Sequence, residues 1–539
     1  MKKIFLIFFA ALFFWNCEKK QNPSDIDDPT GNVHFVQADW DGVKRGDVFY
    51  EVFVRSFADA DGDGIGDLKG LTDKLDYLHE LGINGIWLMP VHSSPSYHGY
   101  DVENYKSINP QYGTMADFDA LMVKANQLGI KVILDLVVNH TSKTHTWFKQ
   151  ACSSKDSPYR NFYLFAPRDS VKYYIEHNRV PSITTYNDYE WHTVESGTTN
   201  YKYYGAFSSW MPDINPENTT VMDSIYSAAR FWLEKGVYGF RLDAIKHMYQ
   251  QERSQQNIDF WKNFYSCLKS IKPDVYLIGE VLSAADMVSI YYKALDYLFN
   301  FDSWWKLEWA LNANVGRYYA NDMQTCFLQF KTYNENYINV PKLSNHDEDR
   351  TMSKLGHSWP KVRLAAAVML TMPGQPYIYY GEEIGMRNMK TNGDEYVREP
   401  FLWEAKATDA YRTRWRVSTT NTDANVPPLS VQQADEHSLY NVYASLLKLR
   451  NTYPALADGN FTYLPYSSLP DALSVYTRQK GDQSLMILHN FGTAEISYEI
   501  TTPLKSPVAG FNGACLKKKE MKYYAELPAY STLLIALNP

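Results

Sequence analysis

The sequence predicts an α/β fold: a (β/α)8 TIM barrel with an irregular insertion after strand 3 and a C-terminal β-sandwich. Three observations lead to this prediction. Eight short apolar runs alternate with amphipathic helical patterns, residues 141–210 interrupt that alternation, and the chain changes to short strand-like pieces near its end. With 539 residues, the chain is also long enough for more than one folded unit.

The eight predicted strands are apolar runs of the length expected for buried strands. They occupy residues 48–54, 83–89, 131–138, 237–242, 275–279, 297–301, 338–343 and 377–380. Amphipathic helical patterns occur between them, at residues 71–81, 117–128, 221–235 and 258–271. Because strands and helices alternate, the strands are expected to be parallel and to close into a barrel.

The N-terminal segment predicts secretion and lipid anchoring. Residues 1–17 start with a basic pair and continue with an apolar stretch too short for an ordinary membrane-spanning helix, as in a signal peptide. The stretch ends at Cys17, the position at which a bacterial lipoprotein is acylated. We therefore expect a secreted lipoprotein of the bacterial outer membrane, on the cell surface or the periplasmic face, that contacts the membrane only through this anchor.

The remaining chain divides into three predicted segments. Residues 18–44 mix Lys, Asn, Asp, Pro, Ser and Gly with little apolar periodicity, which indicates a flexible tether. The barrel domain is expected over 45–456, with the Tyr-, Ser- and Asn-rich insertion at about 141–210, and the β-sandwich over 457–539. A net charge of -8 argues against a nucleic-acid partner, and 15% aromatic residues suit either a large core or stacking on sugar rings.

Carboxylates follow three of the predicted strands. Asp243 ends the fourth, Glu280 the fifth and Asp347 the seventh, at the barrel face where active sites lie. Retaining glycoside hydrolysis needs two carboxyl groups roughly 5 to 5.5 Å apart, and Asp243 and Glu280 on neighbouring strands suit this chemistry. Arg241, on the same side of its strand, is expected to keep Asp243 ionised. A single carboxylate at this position would more often form an ordinary ion pair, but three carboxylates at the same face of the barrel indicate an active site.

Four motifs resemble the signature regions of the α-amylase family, glycoside hydrolase family 13. They lie at residues 135–140, 239–247, 278–281 and 344–347, in the family order and each on a predicted strand. The resemblance covers about 400 residues and implies that Asp243 is the nucleophile, Glu280 the general acid/base and Asp347 the transition-state stabiliser. It implies starch and maltooligosaccharides as substrates, cleaved with retention at α-1,4 bonds.

The resemblance also implies substrate contacts around these carboxylates. His140 and His346 would grip the sugar at the cleavage subsite, and Tyr100, with His98 nearby, would be its stacking platform. Lys246 and His247 would contact the sugar on the leaving-group side, and Asp394 and Arg398 would contact it on the other side.

Acidic residues at alternate positions of a glycine-rich stretch predict a metal site. The ligands would be Asp59, Asp61, Asp63, Asp67 and the backbone of Ile65, in an arrangement with the logic of an EF-hand loop but without its distal glutamate. Calcium is expected, and magnesium stays open because the size of the loop would decide.

A second calcium ion is implied by the resemblance alone. Its ligands would be Asn139, Asp213 and the backbone carbonyl of His247, and they would tie the insertion to the barrel.

Two other functions are compatible with parts of this sequence. A neopullulanase, an α-1,6-glucosidase or a transglycosylase would share the same catalytic core, although Ala244 followed by Lys246 and His247 resembles the α-1,4 endo-acting pattern. A non-catalytic glucan-binding protein is disfavoured because all three carboxylates are present. The lipoprotein start and residues 342–350 resemble cell-surface members of bacterial starch-utilisation systems, which implies partners in a glycan-uptake complex.

Overall fold

The computed structural model describes residues 32–33, 47–250 and 255–538. The predicted signal peptide, Cys17 and most of the predicted tether lie outside these residues. Asn32–Val33, within the predicted tether, forms a short strand. Among the described residues, no helix combines the length and the apolar character needed to cross a membrane.

Eight parallel strands form the predicted barrel, and each lies within its predicted apolar run. They are β1 (Phe49–Val52), β2 (Gly85–Leu88), β3 (Lys131–Leu136), β4 (Gly239–Leu242), β5 (Tyr276–Gly279), β6 (Tyr297–Asn300), β7 (Ile338–Pro341) and β8 (Tyr377–Tyr379). Neighbouring strands pair in chain order, and β8 pairs with β1. A parallel bridge between Lys342 and Tyr377 joins the ends of β7 and β8. The fold-class prediction is confirmed.

Three of the four predicted amphipathic patterns each correspond to one helix, and further helices lie around the barrel and after it. In the barrel region they are Val54–Phe57, Leu68–Asp73, Leu75–Leu81, Met115–Gln127, Thr146–Ser153, Val171–Glu176, Thr219–Glu234, Gln255–Ile271, Ala285–Tyr291, Phe301–Ala313, Tyr319–Tyr333, Thr351–Lys354 and Trp359–Thr371. Those that follow β8 are Asp394–Val397, Leu429–Ala434, Leu439–Thr452 and Pro454–Asp458.

One predicted helix is divided in two. The pattern over 71–81 predicts a single helix, but the chain leaves helical geometry at Lys74, with φ -97° and ψ 0°. The first of the two helices starts earlier than predicted because Asp67 caps it, accepting a hydrogen bond from the backbone N–H of Gly70 at 2.7 Å.

The interior of the barrel is filled by aromatic and branched side chains. Phe49 stacks on Tyr276 and Tyr377, with ring centroids 5.2 and 4.9 Å away, and Trp87 packs beside Phe299 at 5.7 Å. Such a layer makes the barrel a packed core rather than a pore. It holds the strands in register and so fixes where their C-terminal ends lie.

Between β3 and β4, the insertion contains a three-stranded antiparallel sheet formed by Phe165–Pro167, Trp191–Thr193 and Tyr201–Tyr204. A hydrophobic cluster of its own, which includes Trp191, holds this segment together. An antiparallel bridge between His140 and Asp213 joins its end to the end of β3.

The C-terminal strands form two antiparallel sheets. The strands are β9 (Asn460–Tyr463), β10 (Leu473–Lys480), β11 (Gln483–Asn490), β12 (Ile496–Ile500), β13 (Leu504–Phe511), β14 (Cys515–Lys519), β15 (Lys522–Leu527) and β16 (Ser531–Leu537). One sheet has the order β9-β10-β11-β16-β13, and the other pairs Asn32–Val33 with β14, followed by β15 and β12. Leucines from both sheets, such as Leu473 and Leu516, share one core cluster.

Arg478 of this region and Arg450, on the helix Leu439–Thr452, are both buried and bind the end of one barrel helix. The helix Trp359–Thr371 ends with carbonyl groups that lack partners within the helix. Arg450 donates from Nη1 to the carbonyl oxygen of Leu370 at 2.9 Å, and Arg478, on β10, donates from Nη1 to that of Thr371 at 2.6 Å. Cations at a helix C-terminus are stabilised by the helix dipole, so these arginines complete the barrel helix that precedes β8.

Candidate active site

The three predicted carboxylates meet at the C-terminal end of the barrel. Leu242 of β4 pairs with Gly279 of β5, so the residues that follow them, Asp243 and Glu280, are neighbours on adjacent strands. Adjacent strands lie about 4.8 Å apart, so the two carboxyl groups can come as close together as a retaining pair requires. The side chains of Asp243, Glu280 and Asp347 are 12%, 10% and 31% exposed, so all three are open to a ligand.

Arg241 connects three acidic groups. Its buried guanidinium donates from Nη1 to Oδ1 of Asp243 at 2.6 Å and to Oδ1 of Asp135 at 2.9 Å. Its Nη2 lies 2.8 Å from Oε2 of Glu280. Burial raises the pKa of Asp135 to about 7 even though Arg241 opposes the rise. One positive charge is thus shared among three carboxyl groups, with Asp243 at the shortest distance.

A sharp turn follows Asp243. Ala244 has a left-handed backbone with φ 45°, a conformation that costs free energy in a non-glycine residue. The turn directs the Ala244 N–H to Oε2 of Glu280 at 3.3 Å. It also starts the single turn Ile245–His247, which carries Lys246 and His247 on the rim of the barrel.

Tyr100 and His346 form a stacked pair beside the carboxylates. Their ring centroids are 5.4 Å apart with an interplanar angle of 15°, and the Tyr100 hydroxyl lies 2.6 Å from Nε2 of His346. This hydroxyl also donates to Oδ2 of Asp135 at 2.9 Å. Burial lowers the pKa of His346, but Asp347 and Glu51, at 3.0 and 2.6 Å from its two ring nitrogens, outweigh burial and raise it to about 9. His346 is therefore an imidazolium at neutral pH.

Asp347 is held between cations. Arg398 donates from Nη2 to Oδ1 of Asp347 at 2.9 Å and to Oδ2 of Asp394 at 3.4 Å. The ammonium group of Lys390 lies 4.0 Å from Asp347. Burial would raise the pKa of Asp347, but His346 and Arg398 hold it well below its usual range. Asp347 is therefore ionised, with Asp394 and Arg398 beside it.

Two further histidines line the same region. His140 is buried, and neither of its ring nitrogens has a hydrogen-bond partner among the described residues. Burial lowers its pKa to about 4, so it is neutral. Phe207 of the insertion contacts both His140 and His247, with ring centroids 5.2 and 5.3 Å away. His98 stacks on Tyr100 at 6.2 Å.

The glycine-rich acidic loop brings three of its four aspartates together. Carboxylate oxygens of Asp59, Asp61 and Asp67 all lie within 4.8 Å of one another. Burial raises the pKa of Asp59, and the charges of Asp61 and Asp63 raise it further. A hard cation would relieve this repulsion, so the donor set fits calcium or magnesium. Asp63 lies outside the cluster and accepts a hydrogen bond from the N–H of Ile65 at 2.7 Å.

The residues implied for a second ion satisfy one another. Asp213 accepts from the Asn139 amide at 3.1 Å and from the backbone N–H of Ala206 at 3.1 Å, so each of its oxygens already has a donor. Burial raises the pKa of Asp213 to about 7. A carboxylate oxygen can accept more than one contact, so these hydrogen bonds leave the second ion a prediction.

Two groups in this centre have no role in the sequence-based prediction. Glu51 on β1 accepts a hydrogen bond from His346, and Asp135 on β3 binds Arg241. Trp87 on β2 also donates to Asp135, at 3.3 Å. A carboxylate inside an apolar run is costly unless it is paired, and that signal marks both Glu51 and Asp135 in the sequence.

Known proteins resemble this chain along most of its length. A family model described as "Alpha amylase, catalytic domain" matches residues 51–459. The chain is 36% identical to alpha-amylase SusG of Bacteroides thetaiotaomicron, over 93% of this chain and 92% of that protein. It is 41% identical to alpha-amylase 3 of Dictyoglomus thermophilum, over 85% and 87%.

A solved structure, that of an alpha-amylase from H. orenii, superposes with a TM-score of 0.82 and 35% identity, covering 92% of this chain and all of that one. More distant relatives have other names: 4-alpha-glucanotransferase in Thermotoga maritima and oligo-1,6-glucosidase in Parageobacillus thermoglucosidasius, both 31% identical. From the family model, these relatives and the carboxylates at the barrel mouth, it follows that this chain is a hydrolase of the α-amylase family, glycoside hydrolase family 13.

Proposed function

We propose that the protein hydrolyses internal α-1,4-glucosidic bonds of starch and maltooligosaccharides with retention of configuration. The observation that carries this proposal is the pairing of Asp243 and Glu280 on adjacent strands, both in contact with Arg241, with ionised Asp347 facing the same opening. Their predicted spacing suits a covalent glycosyl-enzyme intermediate better than a single displacement by water.

The proposed reaction has two displacements. In the first, Glu280 gives its proton to the glycosidic oxygen while an Asp243 oxygen attacks the anomeric carbon, so the leaving chain departs as an alcohol. In the second, Glu280 takes a proton from water, whose oxygen attacks the same carbon and releases Asp243. Arg241 pairs with the attacking carboxylate of Asp243 at 2.6 Å. Two inversions at one carbon retain the α-configuration.

Asp347 would hold sugar hydroxyls as the ring distorts towards the transition state. This role suits a carboxylate that His346 and Arg398 keep ionised and that is still 31% exposed.

The surrounding side chains suit a bound glucose ring. Tyr100 offers a ring face, supported by its stack on His346. His140 is buried without a partner for either ring nitrogen, so a sugar hydroxyl would satisfy it. Lys246 and His247 suit the leaving-group side because they lie on the short turn just after Asp243.

On the other side of the bound ring, Asp394 and Arg398 suit the neighbouring glucose, because Arg398 contacts Asp347 and Asp394 together.

A calcium ion held by Asp59, Asp61 and Asp67, with Asp63 and the backbone of Ile65 as further oxygen donors, would neutralise the clustered charge of the loop. Its role would be structural, and magnesium is the alternative. The support is the approach of the three carboxylates to within 4.8 Å.

The N-terminal motif extends the proposal to location. Acylation at Cys17 would anchor the enzyme to the outer membrane, where a glycan-uptake complex could supply or receive its sugars. A Cys17→Ala variant should move from the membrane fraction to the soluble fraction and should no longer incorporate labelled palmitate. Palmitate labelling equal to wild type would rule out this anchor.

Product analysis tests the reaction. Maltoheptaose, amylopectin and pullulan are incubated with wild type, with Asp243→Asn and with Asp76→Asn, an exposed aspartate on a barrel helix. We expect internal cleavage of the first two substrates into α-anomeric products, seen by chromatography and NMR, with loss of activity only in Asp243→Asn. β-Anomeric products would contradict retention.

The same experiment separates the alternatives suggested by the names of the more distant relatives. Cleavage of pullulan to panose or maltotriose would indicate a neopullulanase or an α-1,6 activity. Accumulation of sugars longer than the substrate would indicate a transglycosylase. Binding of these glucans without any turnover would support a non-catalytic glucan-binding protein.

A further inference from the structure

A cavity of about 450 Å³ opens beside Asp347. Trp305, Glu308, Lys354 and Lys390 are among the residues that line it. Its volume lies within the range of small-ligand pockets, roughly 300–1,000 Å³. Because Asp347 belongs both to this cavity and to the catalytic centre, a glucan chain bound at the centre can continue into the cavity.

Trp305 forms an aromatic wall of this cavity. It lies in the first turns of the helix Phe301–Ala313, directly after β6, and its side chain is 37% exposed. The fully buried ring of Phe301 packs against it, with centroids 5.8 Å apart. A partly exposed indole that packs on a buried ring offers an apolar surface, which suits the apolar face of a sugar ring.

Polar groups converge on the same cavity. Glu308 follows Trp305 by three residues and so shares its helix face, and its Oε1 lies 3.1 Å from Nζ of Lys354. Lys390 contributes an ammonium group on a side chain that is 43% exposed. Together they provide both donors and acceptors for hydroxyl groups. The lining also includes more carboxylates than lysines, which disfavours an anionic ligand.

We propose that Trp305, with Glu308 and Lys354, forms an additional glucose-binding subsite, so that the enzyme favours α-glucan chains long enough to reach it. The inference rests on the proposed function, because it extends the same cleft. One aromatic wall with a few convergent polar groups is the usual composition of a pocket for a neutral ligand.

The helix supplies a matched control for a test of this subsite. Trp309 lies one turn further along the same helix, is 56% exposed, and is not among the residues that line the cavity. Trp305→Ala, Trp305→Phe and Trp309→Ala are compared with wild type in two assays, and thermal melting checks that each variant is folded. The assays are kcat/KM for maltotriose and maltoheptaose, and calorimetric binding of both sugars in the Asp243→Asn background.

For Trp305→Ala we expect about a tenfold loss in kcat/KM and in affinity for maltoheptaose, and less than a twofold loss for maltotriose. Trp305→Phe should fall between wild type and Trp305→Ala, and Trp309→Ala should match wild type. Equal losses for both sugars, no loss for either, or the same loss in Trp309→Ala would overturn the subsite. If wild type cleaves neither sugar, the proposed function fails, and the binding assay then decides on the subsite by itself.

Discussion

Glu51 offers the sharpest test of how the charges at the barrel mouth support catalysis. It lies on β1, is buried, and its Oε1 is 2.6 Å from Nδ1 of His346. We expect Glu51→Gln to lower the pKa of His346, because the variant keeps a hydrogen-bonding oxygen but loses the charge. His346 would then lose its proton within the neutral range and with it the charged contact to Asp347.

The size of the expected pKa change follows from the groups that surround His346. Burial lowers the pKa of His346, and two carboxylates together outweigh burial and raise the pKa from 6.5 to about 9. Without Glu51, one carboxylate must oppose the burial alone, so the pKa should fall by roughly 2 units, with each unit worth about 1.4 kcal/mol. A hydrogen bond to a charged group contributes about 1.5–3 kcal/mol, so kcat/KM at pH 8 should fall by roughly 10- to 100-fold.

The sign of the pH dependence is fixed by the direction of the shift. A histidine whose folded pKa is raised contributes stability fully below pH 6.5, and this contribution is lost as the pH rises through about 9. In Glu51→Gln the loss should occur at lower pH, so activity should approach that of wild type near pH 5.5 and fall away above pH 7.

The assay is kcat/KM on maltoheptaose from pH 5 to 9.5, combined with an NMR titration of His346. Glu80→Gln, which changes an exposed glutamate on the helix Leu75–Leu81, is the matched control and should retain the wild-type profile. An alkaline limb at the same pH in Glu51→Gln and wild type, with an unchanged pKa of His346, would refute the reasoning.

Three further predictions address other groups. Asp59→Asn should lower the melting temperature measured with calcium, and added chelator should destabilise wild type more than the variant; equal responses would contradict a metal in the Asp59–Asp67 loop. Burial raises the pKa of Glu382 to about 8, so the stability of wild type should fall as the pH rises from 4.5 to 8. Melting curves recorded across this range should show a weaker pH dependence for Glu382→Gln. Arg398→Lys should reduce kcat/KM by roughly tenfold or more, because lysine cannot bond to the His346 carbonyl oxygen and to Asp347 at once, as Nε and Nη2 of Arg398 do. Wild-type kinetics in this variant would show that one of the two bonds suffices.

The barrel could be predicted from the sequence because its signals are local. Each strand is a continuous apolar run; Asp243 and Glu280 directly follow two of these runs, and Asp347 lies four residues after the end of a third. Once parallel strands are assumed, their C-terminal ends must meet at one face. The three carboxylates are therefore brought together by topology alone.

The pairing of charges around that face could not be predicted in the same way. Glu51 and His346 are separated by 295 residues, and Arg398 reaches Asp347 from a segment beyond β8. No local pattern encodes which acid meets which cation. The division of a helix at Lys74 was missed for a related reason: the ammonium group of Lys74 lies over the rings of Trp403 and Tyr411, which are distant in sequence.

The two arginines at the end of the helix Trp359–Thr371 have a consequence for unfolding. If the C-terminal strands separated from the barrel, Arg478 would leave with β10, and the carbonyl group of Thr371 would lose its donor. Separation of the C-terminal strands therefore destabilises the barrel, and the two regions should unfold in a single calorimetric transition. Removing residues 457–539 should consequently yield an insoluble barrel rather than a smaller working enzyme.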